Sequence, residues 1–239
     1  MVLTETLRRQ GEWLFRHRGW IPLLLLPISV IAIRWETVPP LARSGWWQIG
    51  CLLMLSAGAC LRVWIVGKVP EGTSGRNRRE QVAEELNTTG AYSLLRHPLY
   101  AANALMWSGV LLRPAIWWLW LVGMMMFALV YERIMLAEEA FLQRRFGARF
   151  QSWAEQTPAL LLCFCRYRPA ELPFRWRSVL RREYSTWWTA VASFAVMEAL
   201  LQWRWTGTLG LPMPWWYALG VVTGLLLGLR ALKHWTSWL

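Results

Sequence analysis

Apolar blocks alternate with polar, mostly basic gaps along the whole chain. Most blocks are about 16 to 22 residues long, close to the roughly 20 residues that a helix needs to cross about 30 Å of hydrocarbon. Six blocks can be drawn, at about 20–33, 45–66, 99–112, 115–131, 186–203 and 215–232. The pattern predicts an all-α, polytopic transmembrane bundle of about six spans, of which the first and third are short.

The composition excludes a single water-soluble domain. Apolar residues make up 56% of the chain, charged residues only 17%, and there are 20 tryptophans. Several tryptophans stand at the ends of predicted spans, where an amphipathic ring suits the boundary between head groups and hydrocarbon. They include Trp46, Trp47, Trp187 and Trp188.

The formal net charge is +12, and the Lys and Arg residues that produce it lie between the apolar blocks and not on one soluble face. Anionic lipid head groups are therefore the expected partners, and nucleic acid is not. If the amino terminus is inside, 21 of the 26 Lys and Arg residues fall in cytoplasmic segments, counted over 1–19, 67–98, 132–185 and the tail from Arg230. This asymmetry predicts that both termini are cytoplasmic.

Two cytoplasmic stretches are too long to be simple connectors. Residues 67–98 contain Gly72, Gly75 and Gly90 and are predicted to form an ordered or partly ordered loop. Residues 132–157 are predicted to be helical and to continue the fourth span or to lie along the interface. Only Arg113-Pro114 separates the third and fourth spans. The resulting hairpin opens toward the cytoplasm, where both stretches converge.

The four cysteines do not indicate a metal site. Cys51 and Cys60 lie inside an apolar block, and Cys163 and Cys165 have no further ligands nearby, since the three histidines are far off in sequence. No metal is predicted.

A set of short motifs follows the second span. In order, they are Gly90-Ala91-Tyr92, Arg96-His97-Pro98-Leu99-Tyr100, the hairpin, Glu138-Glu139 and Phe146-Gly147. Over about residues 50–160, this order and spacing resemble the isoprenylcysteine carboxyl methyltransferase and phospholipid methyltransferase family. The division that follows is an N-terminal arm with the first span (1–49), a methyltransferase-like core (50–160), a basic connector (161–185) and a C-terminal pair of spans (186–239).

The resemblance implies that S-adenosylmethionine is the cofactor, held by the motif segment and the acidic pair under a cytoplasmic cap. Carried over, the cofactor-binding residues are Gly90, Tyr92, Arg96, His97, Tyr100, Glu138 and Glu139. This chain has Ala102 where the family usually has glycine. The run before the motif looks like bacterial members of the family, which implies a bacterial inner membrane and a lipid or lipidated substrate.

The chemistry of these side chains agrees with that cofactor. Carboxylates accept hydrogen bonds from an ammonium or from ribose hydroxyls, and Arg96 or His97 can pair with a carboxylate. An anionic acceptor arrives deprotonated, so that Arg96 and Arg133 are predicted to orient it as catalytic residues. The scarcity of histidine near the motifs favours methylation of a carboxylate or lipid phosphate over methylation of an amine, which would need a base.

Simpler interpretations stay open for the separate motifs. His97-Pro98 alone could start a helix, and the acidic pair alone could be a solvated face. Alternative functions are amine N-methylation of a phospholipid, an NADPH-dependent enzyme like the sterol reductases, and a membrane scaffold without chemistry. Glu198 is expected to face a neighbouring helix or the outer interface, because an ionisable group within a span is costly.

Overall fold

The computed structural model describes residues 2–70, 83–160 and 166–235, and within these ranges the chain is helical with no strand. The described helices are α1 (Leu3–His17), α2 (Leu25–Trp35), α3 (Gly45–Gly67), α4 (Pro98–Leu111), α5 (Trp117–Phe146), α6 (Ala148–Gln156), α7 (Trp176–Thr206) and α8 (Met213–Trp235). The prediction of an all-α bundle is confirmed. Four residues of the sequence analysis lie outside the described residues, namely Gly72, Gly75, Cys163 and Cys165. The predictions that concern them remain predictions.

Fewer helices satisfy the length and hydropathy of a membrane span than the six predicted. Among the described residues, α3, α5 and α8 do so, and α1 with residues 21–35 would make a fourth if this pair, bent by 91°, is one span. Helix α4 has 14 residues, which at 1.5 Å per residue is about 21 Å and shorter than the hydrocarbon layer. Helix α7 is long enough with 31 residues, but charged side chains along it lower its hydropathy.

The predicted helical continuation of the fourth span is confirmed. Helix α5 runs without a break for 30 residues, from Trp117 to Phe146. It ends at Gly147, whose φ of +54° favours glycine because a Cβ is strained there. Helix α6 then leaves in a new direction, so α5 alone carries the acidic pair beyond the apolar part of the bundle.

Helices α3 and α4 cross at two glycines that allow their backbones to approach closely. A Cβ added to Gly58 would lie 2.6 Å from the carbonyl oxygen of Ala102, and one added to Gly109 would lie 2.7 Å from that of Cys51. Small residues at such crossings are typical of packed membrane helices. The crossing fixes the start of α4, where the histidine motif lies, beside the end of α3.

Helix α7 is joined to the core by two buried ion pairs. Glu198, which is 4% exposed, accepts a hydrogen bond from Arg113 Nη2 at 3.0 Å and one from Gln48 Nε2 at 3.0 Å. Toward the other end of α7, Glu183 pairs with Arg62 of α3 at 2.8 Å. Glu198 therefore faces neighbouring helices, as expected, and its partner is the arginine of the α4–α5 turn.

Removal of the Glu198 carboxylate should destabilise the fold strongly. In Glu198→Ala, the guanidinium of Arg113 remains buried without its counter-charge, which typically costs about 3–5 kcal/mol. Thermal unfolding in detergent should show a clear fall in midpoint. The control Glu36→Ala removes an exposed carboxylate and should leave the midpoint nearly unchanged; equal midpoints for both variants would contradict the prediction.

The predicted orientation can be tested with single cysteines in a background where the native cysteines are replaced. Ser152 lies in α6, which follows the end of α5 that carries Glu138 and Glu139. Ser44 directly precedes α3, at the end of α3 that is far from the histidine motif. With the termini inside, Ser152→Cys should be protected from an impermeant thiol reagent in sealed cells, and Ser44→Cys should be labelled. The reverse labelling would invert the topology.

Candidate active site

The histidine motif begins in a tight turn that a distant segment covers. Gly90, with a φ of +61°, opens a 3-10 turn over Gly90–Ser93. Its N–H donates to the carbonyl of Arg168 at 2.8 Å, and the N–H of Arg168 donates to Ser93 Oγ at 3.0 Å. A Cβ on Gly90 would lie 3.1 Å from that of Ala170, so glycine lets the two segments pack closely.

The covering segment, residues 166–175, closes over the end of α3 as well. The N–H of Arg175 donates to the carbonyl of Gly67 at 2.8 Å, and Arg175 Nη2 donates to the carbonyl of Val69 at 3.2 Å. Outside this segment, the N–H of Arg96 donates to the carbonyl of Pro158 at 2.9 Å. From the sequence, residues 166–175 are only part of a basic connector, and their contacts went unpredicted because they join segments far apart in the chain.

The acidic pair on α5 meets the motif at the start of α4. His97 Nε2 lies 2.9 Å from Glu139 Oε1, and the hydroxyl of Tyr100 donates to Glu138 Oε1 at 2.6 Å. His97 Nδ1 lies 3.7 Å from Glu138 Oε2. The histidine ring thus stands between the two carboxylates, which point in different directions because successive helical residues are about 100° apart.

The electrostatic setting of His97 favours its charged form. The side chain is buried, at 6% exposed, and burial by itself lowers the pKa of a histidine. Hydrogen bonds to Glu138 and Glu139, together with their negative charge, outweigh burial, so that the pKa of His97 is raised above its ordinary value. Since an ionised carboxylate only accepts, Nε2 is the donor toward Glu139.

Tyr92 lies within electrostatic reach of the same cluster. Burial raises its pKa above the ordinary value, and the charge of Glu138 raises it further, while Arg62 and Arg182 act in the opposite direction. The phenol therefore stays protonated at neutral pH and can donate a hydrogen bond.

Arg96 has a buried nitrogen without a hydrogen bond. Its Nε lies 3.3 Å from Glu139 Oε1, but the atoms are not aligned for a hydrogen bond, and this N–H has no acceptor among the described residues. Such a group is rare in a folded protein and calls for an explanation. A ligand carboxylate would satisfy it.

Arg133 is not brought into this cluster, in contrast to the expectation that it acts there with Arg96. Its Nε donates to Gln10 of α1 at 3.0 Å, and its Nη1 donates to the carbonyl of Leu129 at 2.7 Å. At about 100° per residue, Arg133 is roughly 140° from Glu138 around α5. It lines an apolar groove of about 560 Å³ between α1 and α5.

These features define a helical integral membrane protein with a polar site at one end of its core. Residues 46–149 match the family of phospholipid methyltransferases, in agreement with the resemblance of the motifs in this segment. The segment contains the whole His97, Tyr100, Glu138 and Glu139 cluster, whereas the covering segment and α7 lie beyond it.

One curated relative is the nickel-cobalt-cadmium resistance protein NccN of Alcaligenes xylosoxydans xylosoxydans. It is 30% identical over 159 residues, which are 66% of this chain and 58% of the relative. The match thus spans little more than half of that protein's length. No solved structure matches the chain.

The raised pKa of His97 predicts a measurable dependence of stability on pH. A group whose pKa is higher in the folded state stabilises fully below its unfolded pKa of about 6.5, and this contribution is lost as the pH rises through the folded pKa. Relative to His97→Gln, the wild type should therefore have its largest advantage in unfolding midpoint near pH 6. The advantage should shrink as the pH rises further, through the folded pKa; a constant difference would contradict a charged histidine held between two carboxylates.

Proposed function

We propose that this protein is an S-adenosylmethionine-dependent methyltransferase that acts on a membrane lipid. The observation that carries the proposal is the set of contacts of His97 and Tyr100 with the paired carboxylates Glu138 and Glu139, inside the segment that matches the phospholipid methyltransferase family. The site would lie on the cytoplasmic face of a bacterial inner membrane, where the cofactor is available.

The side chains of the site suit this cofactor. Glu138 and Glu139 can accept hydrogen bonds from its ammonium group and ribose hydroxyls, and the buried Nε of Arg96 can donate to its carboxylate. The turn at Gly90 and the phenol of Tyr92 complete the wall toward α3. When bound, the cofactor supplies a methyl group on a sulfonium, and the protein aligns the reactants and excludes water.

The favoured acceptor is an anionic oxygen of a lipid, either a carboxylate or a phosphate. Arg96, whose guanidinium is charged at neutral pH, supplies the positive charge that orients such a group. No proton has to be removed, so the acidic pair can remain engaged with the cofactor. Arg133, which faces α1, has no part in this arrangement.

A second candidate is N-methylation of a phospholipid amine. The description of the matched family favours it, and so does the presence of two carboxylates, since an amine acceptor must lose a proton to a base. The pH profile of turnover separates the two reactions.

Loss of the His97 or Glu139 side chain should weaken cofactor binding. Charge-assisted hydrogen bonds contribute about 1.5–3 kcal/mol each, so His97→Ala or Glu139→Ala should raise the dissociation constant of S-adenosylmethionine about tenfold or more. Calorimetric titration of the purified protein in detergent provides the measurement.

Glu155→Ala is the matched control, because Glu155 is an exposed glutamate of the neighbouring helix α6. It should bind the cofactor as the wild type does. Folded variants at His97 and Glu139 with unchanged affinity would remove these residues from the site, and a wild type that does not bind would favour a scaffold or a reductase.

The charge of the acceptor predicts the pH profile. With an anionic oxygen, turnover should be nearly flat between about pH 6.5 and 8.5, with a shoulder near pH 6 for a phosphate monoester. Methyl transfer to total membrane lipids, followed by mass spectrometry, gives both the rate and the product. A rate that rises about tenfold per pH unit, or methylated phosphatidylethanolamine as the product, would favour the amine reaction.

A further inference from the structure

A chain of polar contacts begins at a buried glutamate of α7. Glu183 is 1% exposed and accepts two hydrogen bonds from Arg62 of α3, from Nε and from Nη2, each at 2.8 Å. This two-point contact fixes the plane of the guanidinium. The third nitrogen of Arg62 is thereby directed to a defined position.

That third nitrogen continues the chain into α4 and α5. Arg62 Nη1 donates to Asn103 Oδ1 at 2.7 Å, and Asn103 Nδ2 donates to the hydroxyl of Tyr131 at 3.3 Å. The ring of Tyr131 stands edge-on to that of Tyr100, with their centroids 4.7 Å apart. Tyr100 in turn holds Glu138.

We propose that Glu183 and Arg62 are positioning residues of the candidate active site, which hold the carboxylate of Glu138 in place through Asn103, Tyr131 and Tyr100. The role in cofactor binding rests on the proposed function, whereas the positioning of Glu138 does not. Helix α7 lies outside the segment that matches the family, so the site would be completed by a helix beyond that segment.

The second ion pair of α7, between Arg113 and Glu198, is a structural contact with no link to the candidate active site within the described part of the chain. Arg113 also pairs with a buried glutamate, Glu198, through Nε and Nη2. Its remaining nitrogen ends on the backbone carbonyl of Ala42. Arg62 differs because its remaining nitrogen reaches a side chain that leads to the acidic pair.

This difference provides a matched pair of substitutions. Both Glu183→Gln and Glu198→Gln neutralise a buried glutamate of α7 and keep its shape. Glu183→Gln should weaken S-adenosylmethionine binding about threefold to tenfold in calorimetric titration, while Glu198→Gln should change it less than about twofold at a comparable loss of thermal stability. Equal effects on affinity would overturn the proposal.

A double-mutant cycle tests the route of the effect. Tyr131→Phe removes the hydroxyl that Asn103 contacts and changes no charge. If the coupling runs through this hydroxyl, Glu183→Gln should have little further effect in the Tyr131→Phe background. Simple additivity of the two substitutions would overturn the proposed route, since it would indicate a direct electrostatic effect.

Titration of His97 in the absence of cofactor tests the positioning role of Glu183 and Arg62 separately from the proposed methyltransferase function. The chain has 3 histidines, so histidine-selective nitrogen NMR can follow the titration of His97 in detergent. Displacement of Glu138 should lower the pKa of His97 in Glu183→Gln, and this shift should be lost in the Tyr131→Phe background. Failure of the wild type to bind S-adenosylmethionine would overturn the proposed function, whereas an unchanged pKa of His97 would overturn the positioning role.

Discussion

Charge buried inside an apolar bundle must be paired, and this constraint governs how the helices of this protein fit together. Desolvation of a lone ion costs several kcal/mol, so each buried arginine needs a partner from another helix. Arg62 and Arg113 both find that partner on α7. The same requirement holds the candidate site together, where His97 stands between two carboxylates. Fold and site are therefore maintained by one kind of interaction.

Much of the site could be predicted from the sequence because its residues lie in short motifs on adjacent elements. His97 directly precedes α4, Tyr100 lies in the first turn of α4, and the acidic pair lies on the next helix, α5. The hairpin geometry then brings them together. The covering segment and Glu183 could not be found in this way, since Glu183 meets Arg62 across 121 positions of the chain and apolar periodicity gives no information on such pairing.

The number of spans and the position of Arg133 are two points at which the structure differs from the expectation. Apolar blocks predicted six spans, yet α4 is short and α7 carries ionisable groups that only its partners make tolerable. Arg133 is near the acidic pair in sequence but on another face of α5, where it contacts α1. The helical phase, about 100° per residue, already contained this information. The angle between two residues around a helix predicts whether their side chains share a site better than their separation in sequence does.

The two ion pairs of α7 also bear on how the protein is made. Arg62 and Arg113 are synthesised well before the glutamates that neutralise them, because α7 follows both in the chain. Until α7 arrives, the partly assembled core holds two positive charges that only water or lipid head groups can satisfy. The early helices therefore have a reason to remain loosely associated near the interface during biosynthesis. Arrival of α7 would then complete the assembly in a single late step.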